Sequence, residues 1–364
     1  MALARDRTIM ALDEVVVELP HEQRSLFERI FRVGVRHGAI VPPPEMLPWI
    51  ERQFGSVEAT LNQKIVRVTN LITLEGVLFN WLRSSRPLWR SQPFDLEAAL
   101  AEDTGDPLRD PYTGTPADVF GRVRGRHCVT ASNVAKFDGF HGIIVFDEPN
   151  PLRWDRELLR DYLETGERWA LEAHRVDPEA RYYLFIWNCL WRAGASLLHG
   201  HAQVMLGQDM HYPGVESLRR AGLLYQAEYR SNYFDDLYRV HEMVGCAVER
   251  NGVRILSNLA PKKEHEVVLM APWPSDALKD AIYDVLVCLR DRMGVESFNV
   301  VIYRPPFGTT DENWTGFPVV VRIVNRGDLA SRTADFGAME LYAASVVSSD
   351  PFKLAEALTA DLNR

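Results

Sequence analysis

Cysteine is scarce and scattered. The chain of 364 residues has four, Cys128, Cys189, Cys246 and Cys288, and none belongs to a C-x-x-C pair. That spacing argues against a thiolate zinc site and against a disulfide framework. Long apolar runs are also missing, so no segment reads as a bilayer-spanning helix. The opening "MALARDRTIMALDEVVVELP" places acids within its apolar stretch and lacks the pattern of a secretory signal. Positive charge is in deficit: 41 Lys and Arg against 50 Asp and Glu give a net charge of −9. Nucleic-acid backbones are bound by clustered cations, so a nucleic-acid partner is not expected. Small anionic ligands remain open, because a few placed arginines hold them. These absences together point to a cytoplasmic protein with no membrane partner.

The remaining composition is that of a folded chain, 46% apolar and 25% charged. Its length is more than one core usually organises. Residues 1 to 65 read as an N-terminal helical extension. In "HEQRSLFERIFRVGVRHG", Leu26, Ile30, Phe31 and Val33 gather near one helix face before "VPPPEM" breaks it. Short β-like runs follow. A weak repeat starts at Ser132, "SNVAKFDGFHGIIVFDEPNP", and again at Ser257, "SNLAPKKEHEVVLMAPWP". Each copy has Ser-Asn, a polar turn, a histidine (His141, His265), a β-rich run and a proline break. An amphipathic helix and a further β-rich run, "RYYLFIWN" or "SFNVVIYR", come next. The predicted fold is α+β, with two related halves of mainly antiparallel sheet and helices, over 66–210 and 211–364.

The halves then diverge. The first continues into "NCLWRAGASLLHGHAQVML", the second into "NWTGFPVVVRIVNRG", which has no histidine. Read as a strand, the first run puts His199, His201 and Gln203 on one face and Leu198, Gly200, Ala202 and Val204 on the other. The small residues permit close packing behind the strand or close approach of a ligand. The preceding "RAGAS" offers the Ser196 hydroxyl and successive amides suited to an anion. Three readings of the histidines stand together. They are polar residues on a partly exposed sheet face, or a pair sharing a metal, for which Gln203 is a poor third ligand, or a nucleophile. In the last, a neutral imidazole attacks phosphorus while the Gln203 amide donates to a phosphoryl oxygen.

The motif "AGASLLHGHAQ" resembles the active-site signature of the galactose-1-phosphate uridylyltransferases, in the transferase and phosphorylase branch of the histidine-triad superfamily. That resemblance implies two tandem histidine-triad-like halves. It also implies a nucleotidyltransferase in which the second histidine, here His201, attacks the α-phosphorus of a nucleotide sugar. A covalent nucleotidyl-histidine then passes the nucleotide to a sugar 1-phosphate or related phosphate acceptor. His199 would support the site, Gln203 would bind the transferred phosphoryl group, and Ser196 and Asn188 would contact phosphates. "NLITLEGVLFNWLRSSRP" is similar to the family segment in which a strand opened by asparagine and threonine ends in R-x-x-R-P. This places Arg83 and Arg86 on sugar-phosphate groups and implies a homodimer. "TASNVAKFDGFHGIIVF" resembles the segment lining the base, at Asn133. "DFGAMELYAAS" resembles the late glycine-glutamate segment, which puts Glu340 near a sugar; a glutamate so placed also caps a turn or helix.

Two departures concern metal. Many uridylyltransferases hold zinc through C-x-x-C and two histidines, but "DPLRDPYTGTP" has no cysteine and Asn150 stands at one histidine position. "GFPVVVRIVNRG" lacks the second-half His-x-His of other members. No bound metal and no other cofactor are therefore expected. The same signature accommodates two alternatives. One is a phosphorylase or hydrolase of dinucleoside polyphosphates or nucleotide sugars. The other is a catalytically silent nucleotide-binding protein.

Overall fold

The computed structural model describes residues 7–85 and 94–362. Thirteen strands run along them: β1 (Phe31–Ala39), β2 (Asn62–Asn70), β3 (Gly76–Phe79), β4 (Cys128–Ser132), β5 (Phe140–Phe146), β6 (Tyr182–Asn188), β7 (His201–Gly207), β8 (Ala247–Arg250), β9 (Val253–Ser257), β10 (Val267–Ala271), β11 (Phe298–Tyr303), β12 (Val319–Asn325) and β13 (Ser345–Val347). Nine form one sheet, in the order β4-β5-β7-β6-β11-β12-β10-β9-β8, and four form a smaller one, β1-β2-β3-β13. Every pairing is antiparallel except β3 with β13. The α+β architecture of mainly antiparallel sheets and helices is thus as expected.

The repeat in the sequence is a repeat in the sheet. The order β4-β5-β7-β6 in one half is mirrored by β9-β10-β12-β11 in the other, and β6 pairs with β11 across the join. A helix follows the β-hairpin in each half, Arg156–Val176 and Asp276–Val287. Both start the same way. The Asp155 carboxylate accepts from the Leu158 amide, and the Ser275 hydroxyl from the Leu278 amide, each satisfying an amide that the first turn leaves free. Leu159, Tyr162, Leu163, Trp169 and Ala170 on the first helix are buried, as are Leu278, Ile282, Val285 and Leu286 on the second. Both helices cover one face of the large sheet, where Ala202, Val204 and Leu206 meet Val319, Val321 and Ile323 in a shared core.

The other face is treated unequally. Over the second half, Val268, Met270, Tyr303 and Val320 are buried in a core shared with the small sheet, the N-terminal helices and the helix Tyr233–Val244. Over the first half, the only core cluster among the described residues on the side carrying His201 and Gln203 is a small one of Leu108, Val129, Ala131 and Val145.

The N-terminal extension is not all helical, which corrects the reading of 1–65. Its second helix, His21–Ile30, gives way to β1 at Phe31, and β2 begins at Asn62. Gly34 and Gly38 weaken a helix, and Val33 and Val35 alternate toward the core instead. The boundary drawn at 65/66 falls inside β2; the one at 210/211 falls between β7 and the helix Pro213–Tyr229.

One glycine in the large sheet has no room for a side chain. A Cβ on Gly142 would lie 2.6 Å from the indole of Trp169. That indole is held by a 2.7 Å hydrogen bond to Asp118. Gly142→Ala is therefore expected to cost about 1–3 kcal/mol, the usual cost of overpacking, read as a lower urea midpoint at unchanged m-value.

Candidate active site

Strand β7 begins at His201, so only His201, Gln203 and Met205 alternate on its open face. His199 lies outside the strand, in the bend before it, which corrects the single-face arrangement. Gly200 explains the break. A Cβ there would lie 2.7 Å from Phe146 and 2.9 Å from the Glu148 carbonyl, so the glycine serves close packing behind the strand. The His199 ring turns inward. Its Nε2 donates to the Phe146 carbonyl at 2.9 Å, and its Nδ1 sits 3.1 Å from the Asp106 carboxylate, at ion-pair distance but without hydrogen-bond alignment. Nε2 is thus committed within the protein, while Nδ1 faces the Asp106 carboxylate without a hydrogen bond.

His201 is held differently. Its Nδ1 donates to the His199 carbonyl at 2.7 Å. A carbonyl can only accept, so the ring proton is on Nδ1, and the Nε2 lone pair has no donor among the described residues. Burial pushes its pKa below the usual histidine range, which keeps the ring neutral at pH 7. Gln203 Oε1 lies 2.9 Å from His141 Nε2, and Asn133 Nδ2 lies 3.3 Å from the same nitrogen. Ile186 pairs with Gln203, so two residues on Asn188 comes level with His201. The Asn188 carboxamide oxygen accepts from Asn299 at 2.7 Å.

The approach to His201 is the segment Leu190–Gly200. Leu190 takes φ 66° and ψ 174°, a region that side chains other than glycine rarely enter, while 1% exposed. Its carbonyl accepts from the amides of Ala193 and Ala195 and shapes the loop. Ser196 follows, exposed, with no side-chain hydrogen bond to a described residue.

Arg83 and Glu340 form a second group. Arg83 stands on the short 3-10 turn Trp81–Ser85 rather than at a strand end, because β3 stops at Phe79 and the Asn80 side chain accepts from the Leu82 amide. Glu340 caps its own helix by accepting from the Gly337 amide at 2.9 Å. Both also line a cavity of about 200 Å³ with Arg192, Lys263 and Arg326. Arg326 ties this cavity to the first group, since its Nη1 donates to Asn299 at 2.5 Å. Arg86 lies outside the described residues.

Sequence reading missed four residues here: Asp106, His141, Arg192 and Asn299. His141 was visible in the repeat, and Asn299 as a polar residue inside the β-run "SFNVVIYR". Asp106 had no local signal, because it reaches His199 from a loop 93 positions away, the difference of the two residue numbers. Asn150, at the expected metal-ligand position, donates instead to Glu97. Among the described residues, no group of three or more His, Cys, Asp or Glu side chains is placed to hold a metal ion. No helix among them is long and apolar enough to cross a membrane.

Register shows why only one half carries this site. Asn133 and Asn258 each donate an amide across their hairpin, to the carbonyls of His141 and Glu266. Taking those pairs as equivalent, the ladders match Ile143 with Val268, Gln203 with Arg322, His201 with Val320 and Ile186 with Val301. Ile186 and Val301 are also the central pair of the join, where a twofold must fall. His141 therefore corresponds to Glu266, one place from the His265 that sequence comparison selects. The His201 position of the second half is a valine, and the Gln203 position an arginine in ion pairs.

No protein-family model matches the sequence, and a search of curated proteins finds no match. Solved structures do match. An ADP-glucose phosphorylase from Arabidopsis thaliana with bound ADP-glucose is similar at 14% identity and a TM-score of 0.58, over 80% of this chain and 97% of that one. A galactose-1-phosphate uridylyltransferase-like protein from the same plant gives 15% and 0.56, over 70% and 91%. A uridylyltransferase gives 14% and 0.56, over 82% and 98%. At these identities the likeness establishes the fold, which is that of the uridylyltransferase-like proteins.

Proposed function

We propose that the chain is a nucleotidyltransferase that moves a nucleoside monophosphate from a nucleotide sugar to a phosphate-bearing acceptor through a nucleotidyl-His201 intermediate. One observation carries this reading: the 2.7 Å hydrogen bond from His201 Nδ1 to the His199 carbonyl, which leaves Nε2 as a free lone pair. That lone pair attacks the α-phosphorus. An N–P bond forms, the bond from phosphorus to the bridging oxygen breaks, and sugar 1-phosphate leaves with the electron pair. The charge gained by the ring rests against the His199 carbonyl. An acceptor phosphate oxygen then attacks phosphorus from the other side, and the N–P bond breaks to restore neutral His201. Gln203 can neither take nor give a proton. Leaving group and acceptor must therefore be stable as anions, as phosphates are.

The exposed Ser196 and the half-buried Gln203 and Asn188 are read as donors to the phosphoryl oxygens, with Asn133 toward the base. The cavity lined by Arg83, Arg192, Lys263 and Arg326, with Glu264, Asp328 and Asp335 among them, is read as the acceptor site, its cations toward the phosphate and Glu340 toward the hydroxyls. Inorganic phosphate held by the same cations in place of the acceptor phosphate gives a phosphorylase as the second reading. A cytoplasmic homodimer belongs to the same proposal, its stoichiometry measurable by light scattering.

The test is incubation with UDP-glucose, ADP-glucose, GDP-mannose and diadenosine tetraphosphate in turn, followed by intact mass. One donor is expected to add one nucleoside monophosphate, and the added mass names the base. Discharge by sugar 1-phosphates, by phosphate or by water then separates transferase, phosphorylase and hydrolase. Nucleotide binding without any adduct would overturn the reading in favour of a silent binding protein.

A further inference from the structure

Asn188 and Gln203 flank the nucleophile with carboxamides, and a carboxamide offers either a donor or an acceptor depending on its flip. Toward an anionic phosphoryl group the two choices have opposite sign. We propose that His141 and Asn299 are positioning residues that fix both flips, so that the Gln203 and Asn188 amino groups face the reacting phosphorus. This rests on His201 as the nucleophile.

Each flip is traceable to a group that has no choice. The backbone N–H of Phe137 donates to His141 Nδ1 at 3.0 Å. Nδ1 is therefore bare and the ring proton is on Nε2. That proton faces Gln203 Oε1 at 2.9 Å, so Oε1 accepts and the Gln203 amino group is left over. The His141 ring has little freedom, being fully buried and stacked on Phe137 with centroids 4.5 Å apart. The nearby Asn133 amino group, 3.3 Å from His141 Nε2, is then a donor facing a donor; it is a packing contact, since Asn133 Oδ1 is committed to the Ala135 amide at 3.1 Å.

On the other side the fixed group is a guanidinium, which only donates. Asp335 holds Arg326 at 2.7 and 3.1 Å, and Arg326 Nη1 donates to Asn299 Oδ1 at 2.5 Å. The Asn299 amino group must then face the site, where it donates to Asn188 Oδ1 at 2.7 Å and to the Ala193 carbonyl at 2.8 Å. The Asn188 oxygen is committed and its amino group is left over. Among the described residues neither leftover amino group has an acceptor, and both residues are half-buried on the His201 side of the sheet. Two neutral donors so held stabilise charge gained by the phosphoryl oxygens and need no reorganisation during the reaction.

The test is a pair of double-mutant cycles on the single-turnover rate of adduct formation, with UDP-glucose and ADP-glucose as probes. His141→Ala and Asn299→Ala are each expected to slow the chemical step about 10–100-fold with KM nearly unchanged. In the Gln203→Ala background His141→Ala should have no further effect, and likewise Asn299→Ala in Asn188→Ala. Independent, multiplicative losses would overturn the proposal, because they would mean a structural role. His141→Gln, which keeps an N–H donor, should recover part of the rate, and equal Tm values exclude unfolding. The tautomer gives a second readout that needs no turnover. Long-range 1H–15N correlation on histidine-labelled protein should place the His141 proton on Nε2; a proton on Nδ1 overturns the proposal. If the wild type forms no adduct with either probe, with GDP-mannose or with diadenosine tetraphosphate, the nucleophile reading fails, and the tautomer still decides the positioning.

Discussion

His201→Ala is expected to abolish the nucleotide adduct and to lower turnover by at least about 10⁴-fold, the scale of removing a covalent nucleophile. The loss should lie in kcat, because the substrate contacts proposed for Ser196, Gln203, Asn188 and the arginine cavity remain. His201 is itself buried but borders the site, so the folded state should survive; circular dichroism checks this. The pH profile carries a second signature. Protonation of Nε2 removes the attacking lone pair, so the rate falls as pH drops through the His201 pKa. Burial places that pKa below the ordinary value of about 6.5, and the acid limb of kcat/KM should lie below pH 6.5. An adduct of equal yield on the alanine variant would remove His201 from the role.

Much of this arrangement was legible because period-2 alternation is a strong constraint. Gln203 and His201 share a face because the strand allows nothing else, and the apolar partners Ala202 and Val204 found the helix-covered core. The doubled hairpin–helix–strand order was visible for the same reason. Three features were not. His199 left the strand because Gly200 sits against Phe146, a contact made by a neighbouring strand. Phe31–Ala39 read as helix because its apolar residues also fit helical spacing; its pairing with Asn62–Asn70 decides the matter through hydrogen bonds that a single segment cannot reveal. Asp106 and Asn299 act from other elements, and their partners are set by topology rather than by spacing. The His141 position shows the limit most clearly, since aligning His141 with His265 is natural by eye and is one residue out of register.

Arg322→Met is expected to destabilise the protein by about 3–5 kcal/mol while leaving adduct formation within about twofold of wild type. Arg322 occupies the second-half equivalent of Gln203, three strands away across β6 and β11, or about 14 Å at the usual strand spacing. Its guanidinium donates to Glu266 at 2.8 Å and to Glu75 at 2.7 and 3.3 Å, so it joins the small sheet's β2–β3 turn to the large sheet. Glu266 is buried, and with a methionine opposite it keeps, among the described residues, the Asn258 amino group and the Lys262 amide as donors. An uncompensated buried carboxylate is the costly outcome, whereas Glu75→Gln leaves the Arg322–Glu266 pair intact and should cost less. The sign of the pH dependence distinguishes the variants. Burial pushes the Glu75 pKa up, but Arg322 and Lys262 outweigh it and bring it down to about 2. A depressed carboxyl contributes stability that is fully present above its unfolded value of about 4.3 and is lost as pH falls through about 2. In Arg322→Met Glu75 loses that guanidinium, so its carboxyl is held down less and protonating it costs the fold less. The stability gap between wild type and variant, from urea unfolding at a series of pH values, should therefore narrow as pH falls from 7 toward 4. A gap that is constant or widens would mean that the guanidinium contributes packing alone. The position proposed to supply a phosphoryl donor in one half would then have no electrostatic duty in the other.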